Sequence, residues 1–189
     1  MEHMDAQAVF HMGRRTAALG LIVSEGAREL GEKGNGHLVR MAANSPEEKE
    51  TFVIESECPR FSSGDGKGLI RDTVRGMDLY LLVDVGNYHC TYNMFGHQNL
   101  MSPDDHFQDL KRLIQAVGGK AHRLTVIMPI LFSGRQHRRN YRESLDCAVA
   151  LQELQSMGVS NVISFDAHDP RVQNATPLMG FDNVMPTYQ

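Results

Sequence analysis

Three shortages narrow the field before any motif is read. The chain of 189 residues has only three cysteines, Cys58, Cys90 and Cys147. They are far apart, odd in number and form no Cys-x-x-Cys, which excludes a disulfide framework and a structural zinc site and favours a reducing compartment, hence the cytoplasm. Positive charge is also short: 19 Lys+Arg stand against 23 Asp+Glu, a formal net charge of -4. A nucleic-acid-binding face is normally basic, so no nucleic-acid partner is expected. No apolar run approaches the length of a membrane span, and Met1-Glu2-His3-Met4-Asp5 lacks the pattern of a signal peptide. Glycine does not fill the gap: Gly64, Gly66 and Gly68 make a loop, not a phosphate-binding signature.

What is present is an alternation of short apolar runs and helical patterns. Residues 1–17 carry little pattern and read as a loose leader. Leu19–Val23 reads as a strand, followed by a Ser24 cap and a weak helix interrupted by glycines. Thr51–Glu55 alternates like a strand, and 79–83 is the clearest buried one, ending at Asp84. A polar and aromatic loop then runs to Leu100. Ser102-Pro103-Asp104-Asp105 announces a helix, since serine caps, proline fits the first position and the aspartates complement the dipole. Phe107, Leu110, Ile114 and Val117 share its inner face, and Gly118-Gly119 ends it. A strand at 124–128, a helix capped by Ser144 with Leu145, Ala148, Val149 and Leu154 inward, and a strand at 161–165 follow. After Asp169 the chain reads as irregular to Gln189. This order predicts the α/β class: a parallel sheet flanked by helices on both faces.

Two strand ends carry chemistry. Arg135, Arg138, Arg139 and Arg142 fall within eight positions after the 124–128 strand, with Gln136 and Tyr141 interleaved. Guanidinium forks match phosphate oxygens two at a time. Asp166-Ala167-His168-Asp169 follows the 161–165 strand, with residue types that serve as ligands or supporting partners of a cation held mainly by substrate oxygens. Ligands of open α/β sheets bind beyond the carboxyl ends of the strands. The pair suggests a polyphosphate with a divalent metal. The plain alternatives are a solvated charged turn and a helix cap beside a surface histidine. His89, His97 and His106 read as surface residues, and the methionines as core filler.

Six segments, in order, resemble the N-terminal domain of the ribose-phosphate pyrophosphokinase (PRPP synthetase) family. Arg60-Phe61-Ser62-Ser63-Gly64-Asp65 is similar to that family's RFSDGE segment, and Val74-Arg75-Gly76-Met77-Asp78-Leu79-Tyr80 to its VRGxDVY strand entry. Asp109-Leu110-Lys111-Arg112 resembles its DALKR helix, and Arg135-Gln136-His137-Arg138-Arg139 its RQDRK loop. Arg142-Glu143-Ser144 resembles RxPIS, and Asp166-Ala167-His168 resembles DLH. His137 replaces the loop aspartate, Ser63 replaces another, Asp65 shortens a glutamate, and the 86–102 loop is longer than usual.

The resemblance implies a phosphoribosyltransferase-like fold over residues 18–189, with the family's second catalytic domain absent from this chain. It implies ATP at Arg135 and Gln136, with Arg138 and Arg139 as weaker phosphate contacts, and Phe61 and Asp65 serving the adenine of a neighbouring protomer in a homo-oligomer. It implies Mg2+ at His168, with Asp166 orienting it, and ribose 5-phosphate held mainly by the missing domain. The complete enzyme would transfer a diphosphoryl group from ATP to ribose 5-phosphate, in nucleotide biosynthesis. The altered Ser63 and Asp65 favour a second reading, a non-catalytic regulatory homologue binding nucleotide or partner subunits. A metal phosphoesterase is a third, but no second His-rich run supports it.

Overall fold

A computed structural model describes residues 17–187; residues 1–16, on which the leader expected over 1–17 falls, and the last two residues lie outside the described residues. The strands are β1 (Leu19–Val23), β2 (Ser56–Glu57), β3 (Leu69–Ile70), β4 (Asp78–Leu82), β5 (Thr91–Met94), β6 (His97–Leu100), β7 (Arg123–Ile127), β8 (Asn161–Phe165) and β9 (Gly180–Val184). The helices are α1 (Arg28–Ala42), α2 (Pro103–Val117) and α3 (Asp146–Ser156). Five strands form one parallel sheet in the order β1-β4-β7-β8-β9. Val53 adds a single parallel bridge outside β1.

The faces follow from strand periodicity. Ile22, Leu81, Val126 and Val162 are in register and buried, packed in one core with Phe107, Leu110 and Ile114 of α2 and Leu151 and Leu154 of α3. Leu21, Val23, Tyr80, Leu82 and Ile127 take the other face with Ala27. There α1 comes close enough that a side chain at Gly31 would collide with Val23. α2 is capped as expected: Asp105 N donates to Ser102 Oγ at 3.2 Å and Ser102 N donates to Asp105 Oδ2 at 2.9 Å, while Gly118 leaves in the left-handed region (φ 59). Ser102→Ala is expected to lose about 0.5–2 kcal/mol in urea unfolding; an unchanged midpoint would refute the cap's contribution.

Five expectations need correction. The tail after Asp169 is not irregular throughout. β9 pairs with β8 along its whole length; its Asp182 and Asn183 hide the strand pattern because, at a sheet edge, backbone pairing decides and polar side chains stay tolerable. The 86–100 loop contains the antiparallel β5–β6 hairpin, closed by Phe95 (φ 48) and Gly96 (φ 81), the two left-handed residues of a tight hairpin turn. Thr51–Glu55 makes only the Val53 bridge, although Leu21 N donates to Phe52 O and Ile54 N to Leu21 O, both at 2.8 Å. Ser144 does not cap α3, whose preceding residue is Leu145 with no side-chain cap; the inward face is Cys147, Ala150, Leu151 and Leu154, and Val149 is half exposed. His106 is buried, with Nε2 2.9 Å from the Asn87 carbonyl oxygen; His89 and His97 are exposed as expected.

Candidate functional site

Because β7 and β8 are neighbours, their two carboxyl-end loops are too. Met128 N donates to Ile163 O at 2.8 Å and Phe165 N to Pro129 O at 3.1 Å, which continues the pairing past β7. The arginine loop is anchored below by Phe132, whose ring stacks on Phe107 of α2 at 4.3 Å. It then turns tightly: Gly134 N donates to Leu131 O and Gln136 N to Ser133 O, at 3.1 and 2.7 Å. The Asp166–His168 turn is held by the strand that the sequence hid. Asp166 N donates to Val184 O at 3.0 Å and Ala167 N to Asn183 Oδ1 at 2.9 Å, both from β9.

The two loops meet at His137. Its Nδ1 lies 3.1 Å from Asp169 Oδ2, and its ring centre lies 5.2 Å from that of His168. Asp169 is also gripped by Arg171, through Nε and Nη2 to both carboxylate oxygens and through the backbone N–H. These Arg171 hydrogen bonds first, and His137 to a lesser degree, hold the Asp169 carboxyl well below the usual carboxylate range, against the opposing effect of desolvation. A depressed folded-state value means that the unfolded chain binds the proton more tightly. The resulting stabilisation is present above the ordinary aspartate value of about 3.9 and is lost as pH falls below it. Asp169→Asn is therefore expected to flatten the acid limb of the stability–pH curve below about pH 4. An acid limb identical to the parent's would contradict this.

The charges of the arginine loop are uncommitted. Arg28, Arg60, Arg71, Arg112, Arg123 and Arg171 each hold a carboxylate. Among the described residues Arg135, Arg138, Arg139 and Arg142 hold none, and all four are exposed. Four unpaired guanidiniums repel one another and attract an anion. Three non-glycine residues of these two loops, Ser133 (φ 51), Tyr141 (φ 58) and Asp166 (φ 46), sit in the left-handed region, a conformation that collects at ligand sites.

Asp166 and His168 are exposed at the same edge. No three His, Cys, Asp or Glu side chains converge on one point among the described residues, so the chain presents no closed metal cage. One hard carboxylate beside an imidazole fits a magnesium ion that takes most of its oxygens from a bound phosphate and water.

Phe61 and Asp65 are not brought to this cluster. Their loop is fixed on the middle of α2. Arg60 Nη2 donates to Asp109 Oδ2 at 2.9 Å, and Arg112 packs on Gly66 and Gly68. Phe95 N donates to Ser62 O at 2.7 Å. Phe61 is 54% exposed, and Asp65 accepts the Ser63 hydroxyl at 2.9 Å.

A separate cavity of about 680 Å³ opens beyond β1, lined by Ser24, Arg28, Tyr92 and His106 among others. None of the site residues expected from the sequence lines it. Its wall carries Glu25, Glu32, Glu55, Glu57 and Asp109 against only Arg28 and Arg60. That balance disfavours a polyphosphate there.

A family model described as the N-terminal domain of ribose phosphate pyrophosphokinase matches residues 21–158. The chain belongs to that family. The match includes the arginine loop and stops before β8. Ribose-phosphate pyrophosphokinase B of Dictyostelium discoideum is 25% identical over 71% of this chain and 36% of its own length. The Coxiella burnetii ribose-phosphate pyrophosphokinase is 27% identical over 76% of this chain and 41% of its own length. The crystal structure of phosphoribosylpyrophosphate synthetase from Mycobacterium smegmatis shares the fold, with a TM-score of 0.69 at 19% identity, covering 88% of this chain and 48% of that one. The chain thus spans less than half the length of each of these relatives. Within the pyrophosphokinase N-terminal domain, the sequence left two couplings unread: His137 to Asp169, signalled only by the departure from the family aspartate, and Asn183 to the Asp166–His168 turn, which nothing local signals.

Proposed function

We propose that this chain is the ATP-binding half of a ribose-phosphate diphosphokinase, which converts ATP and ribose 5-phosphate to PRPP and AMP for nucleotide biosynthesis. The observation that carries this reading is the set of unpaired guanidiniums at the end of β7, beside Asp166 and His168 at the end of β8. Arg135 and Gln136 bind the ATP phosphates, with Arg138 and Arg139 as weaker contacts, and His168 and Asp166 face the magnesium-bearing side. In the reaction the β-phosphorus of ATP is taken by the 1-hydroxyl of the sugar, its bond to the α-phosphate oxygen breaks, and AMP leaves. Such transfer depends on positioning and on neutralising phosphate charge. Bound magnesium supplies part of that neutralisation, and the arginines of the β7 loop supply the rest. Phe61, exposed on a loop fixed to the middle of α2, serves the adenine of a neighbouring protomer in a homo-oligomer. Among the described residues no helix is long and apolar enough to cross a membrane, and the three cysteines are free, which supports a cytoplasmic setting.

Titration calorimetry with Mg-ATP tests the site. Arg135→Ala and His168→Ala are each expected to weaken binding by about 1.5–3 kcal/mol, the scale of a charge-assisted hydrogen bond. Binding by both variants equal to the parent's would refute the assignment. One observation favours the second reading, a regulatory homologue that binds nucleotide without catalysis: the carboxylate of Asp65 is already engaged by Ser63, in the segment expected to read adenine.

A further inference from the structure

The nucleotide chemistry proposed above makes no use of the cavity beyond β1, yet two buried polar groups in its wall lack partners. Ser24 follows β1 with an extended backbone (φ -67, ψ 157), the position from which a serine hydroxyl ordinarily caps the next turn. Its hydroxyl makes no such bond. The residue is 7% exposed, and its Oγ has no hydrogen-bond partner among the described residues. His106 is 1% exposed, with Nε2 against the Asn87 carbonyl oxygen at 2.9 Å, a contact that requires the proton on Nε2. In the neutral ring Nδ1 is then an acceptor, and it too is unpartnered among the described residues. Both residues line the cavity. Leaving a buried polar group unpaired is costly, and two in one wall point to a ligand that supplies donors.

The rest of the wall indicates the ligand's chemistry. Glu25, Glu55, Glu57 and Asp109 are each bonded to an arginine, whereas Glu32 makes no salt bridge among the described residues. A bare metal ion does not fit, because among the described residues no three His, Cys, Asp or Glu side chains converge on one point. A volume of about 680 Å³ suits an organic molecule, and Val23, Val53, Met101 and Leu113 give it apolar wall. Acceptors spread over such a wall suit a cation whose charges are separated along an apolar stem. Thr91, Tyr92 and Asn93 of the β5–β6 hairpin line another side, within the 86–102 segment that is longer than usual for the family. The cavity therefore belongs to a departure from the family pattern. We propose that it binds an aliphatic polyamine, whose ammonium groups donate to Ser24 Oγ and His106 Nδ1 and face Glu32. The inference shares no residue with the arginine loop and does not rest on the reading of that loop.

Titration calorimetry of the 189-residue chain with spermidine, in the absence of nucleotide, tests the site. Saturable binding by the parent is expected. Ser24→Ala should weaken it about ten-fold, the scale of one hydrogen bond to a charged group. The same variant should lose no stability in urea, because the hydroxyl removed has no partner in the free protein. Glu32→Gln should weaken spermidine about three-fold, as for an exposed ion pair. Glu29→Gln makes the same change of charge on the same helix, at a carboxylate bonded to Lys33 and outside the cavity wall, and should stay within about two-fold of the parent. Both Ser24→Ala and Glu32→Gln should bind Mg-ATP like the parent. Equal losses in the two glutamate variants would reduce the effect to diffuse attraction by an acidic surface and overturn the site. No saturable binding by the parent, or Ser24→Ala binding like the parent, would overturn it as well. Binding of the neutral probe adenosine in place of spermidine, weakened by Ser24→Ala, would overturn the ligand class.

Discussion

The 189-residue chain, supplied with ATP, magnesium and ribose 5-phosphate, is expected to release no sugar-dependent AMP above background. It covers 36% and 41% of the Dictyostelium and Coxiella pyrophosphokinases it resembles. In the proposed reading the loops at the ends of β7 and β8 serve one substrate, the nucleotide. Holding two reactants in line contributes about 7–11 kcal/mol of barrier lowering, so a site that holds only the nucleotide forfeits about 10^5-fold or more in rate. The assay compares AMP release with and without the sugar, on this chain and on a chimera in which it replaces the matching part of the Coxiella protein. Robust sugar-dependent release by the short chain would sink the claim. A folded but inactive chimera would favour the regulatory homologue over the enzyme.

The second large effect is structural. Asp109 is buried between two guanidiniums: Arg60 at 2.9 Å and Arg112 at 2.6 Å, each on its own carboxylate oxygen. The Arg60 side chain is only 9% exposed and lies with its guanidinium carbon 4.9 Å from the centre of the Tyr92 ring. Burial pushes the Asp109 carboxyl above its ordinary value, against the pull of both arginines. Removing the carboxylate strands a desolvated cation, so Asp109→Ala is expected to lose about 3–5 kcal/mol. That is a large share of a stability of about 5–15 kcal/mol. Urea unfolding at constant m-value gives the measurement. The loop over 60–66 loses its anchor at the same time, so limited proteolysis should cut there first. A loss under about 1 kcal/mol would mean that water already reaches the pair. A double variant, Arg60→Met with Asp109→Leu, is expected to recover most of the loss, because the burial of uncompensated charge is then gone.

The residues behind both predictions mark where local signals stop. Asp109 reads in sequence as the first position of the DALKR-like segment. Its burial is decided by the 56–70 segment, whose Gly68 comes so near the α2 backbone that a side chain there would strike the Arg112 carbonyl. His106, one turn earlier, reads as a surface residue because it lies near a long loop, yet packing against Gly26 and Asn87 buries it. His137 stands out only as a substitution; what it does depends on Asp169, which is 32 positions away in the loop that follows the next strand.

The sequence by itself determined the parallel α/β sheet, the capped α2 helix and the family. Apolar runs and the Ser-Pro-Asp-Asp cap act within a few residues, and the family's segments follow one another in order along the chain. It also located both charged strand-end loops, because residue type and the run before each loop are enough to place it. Only the tertiary structure decided that these loops touch through His137, that β9 holds the Asp166–His168 turn, and that the Phe61 loop lies apart from them. Those are contacts between residues distant in sequence. Their energies depend on which strands lie side by side and which groups lose their water, and no local pattern carries that information.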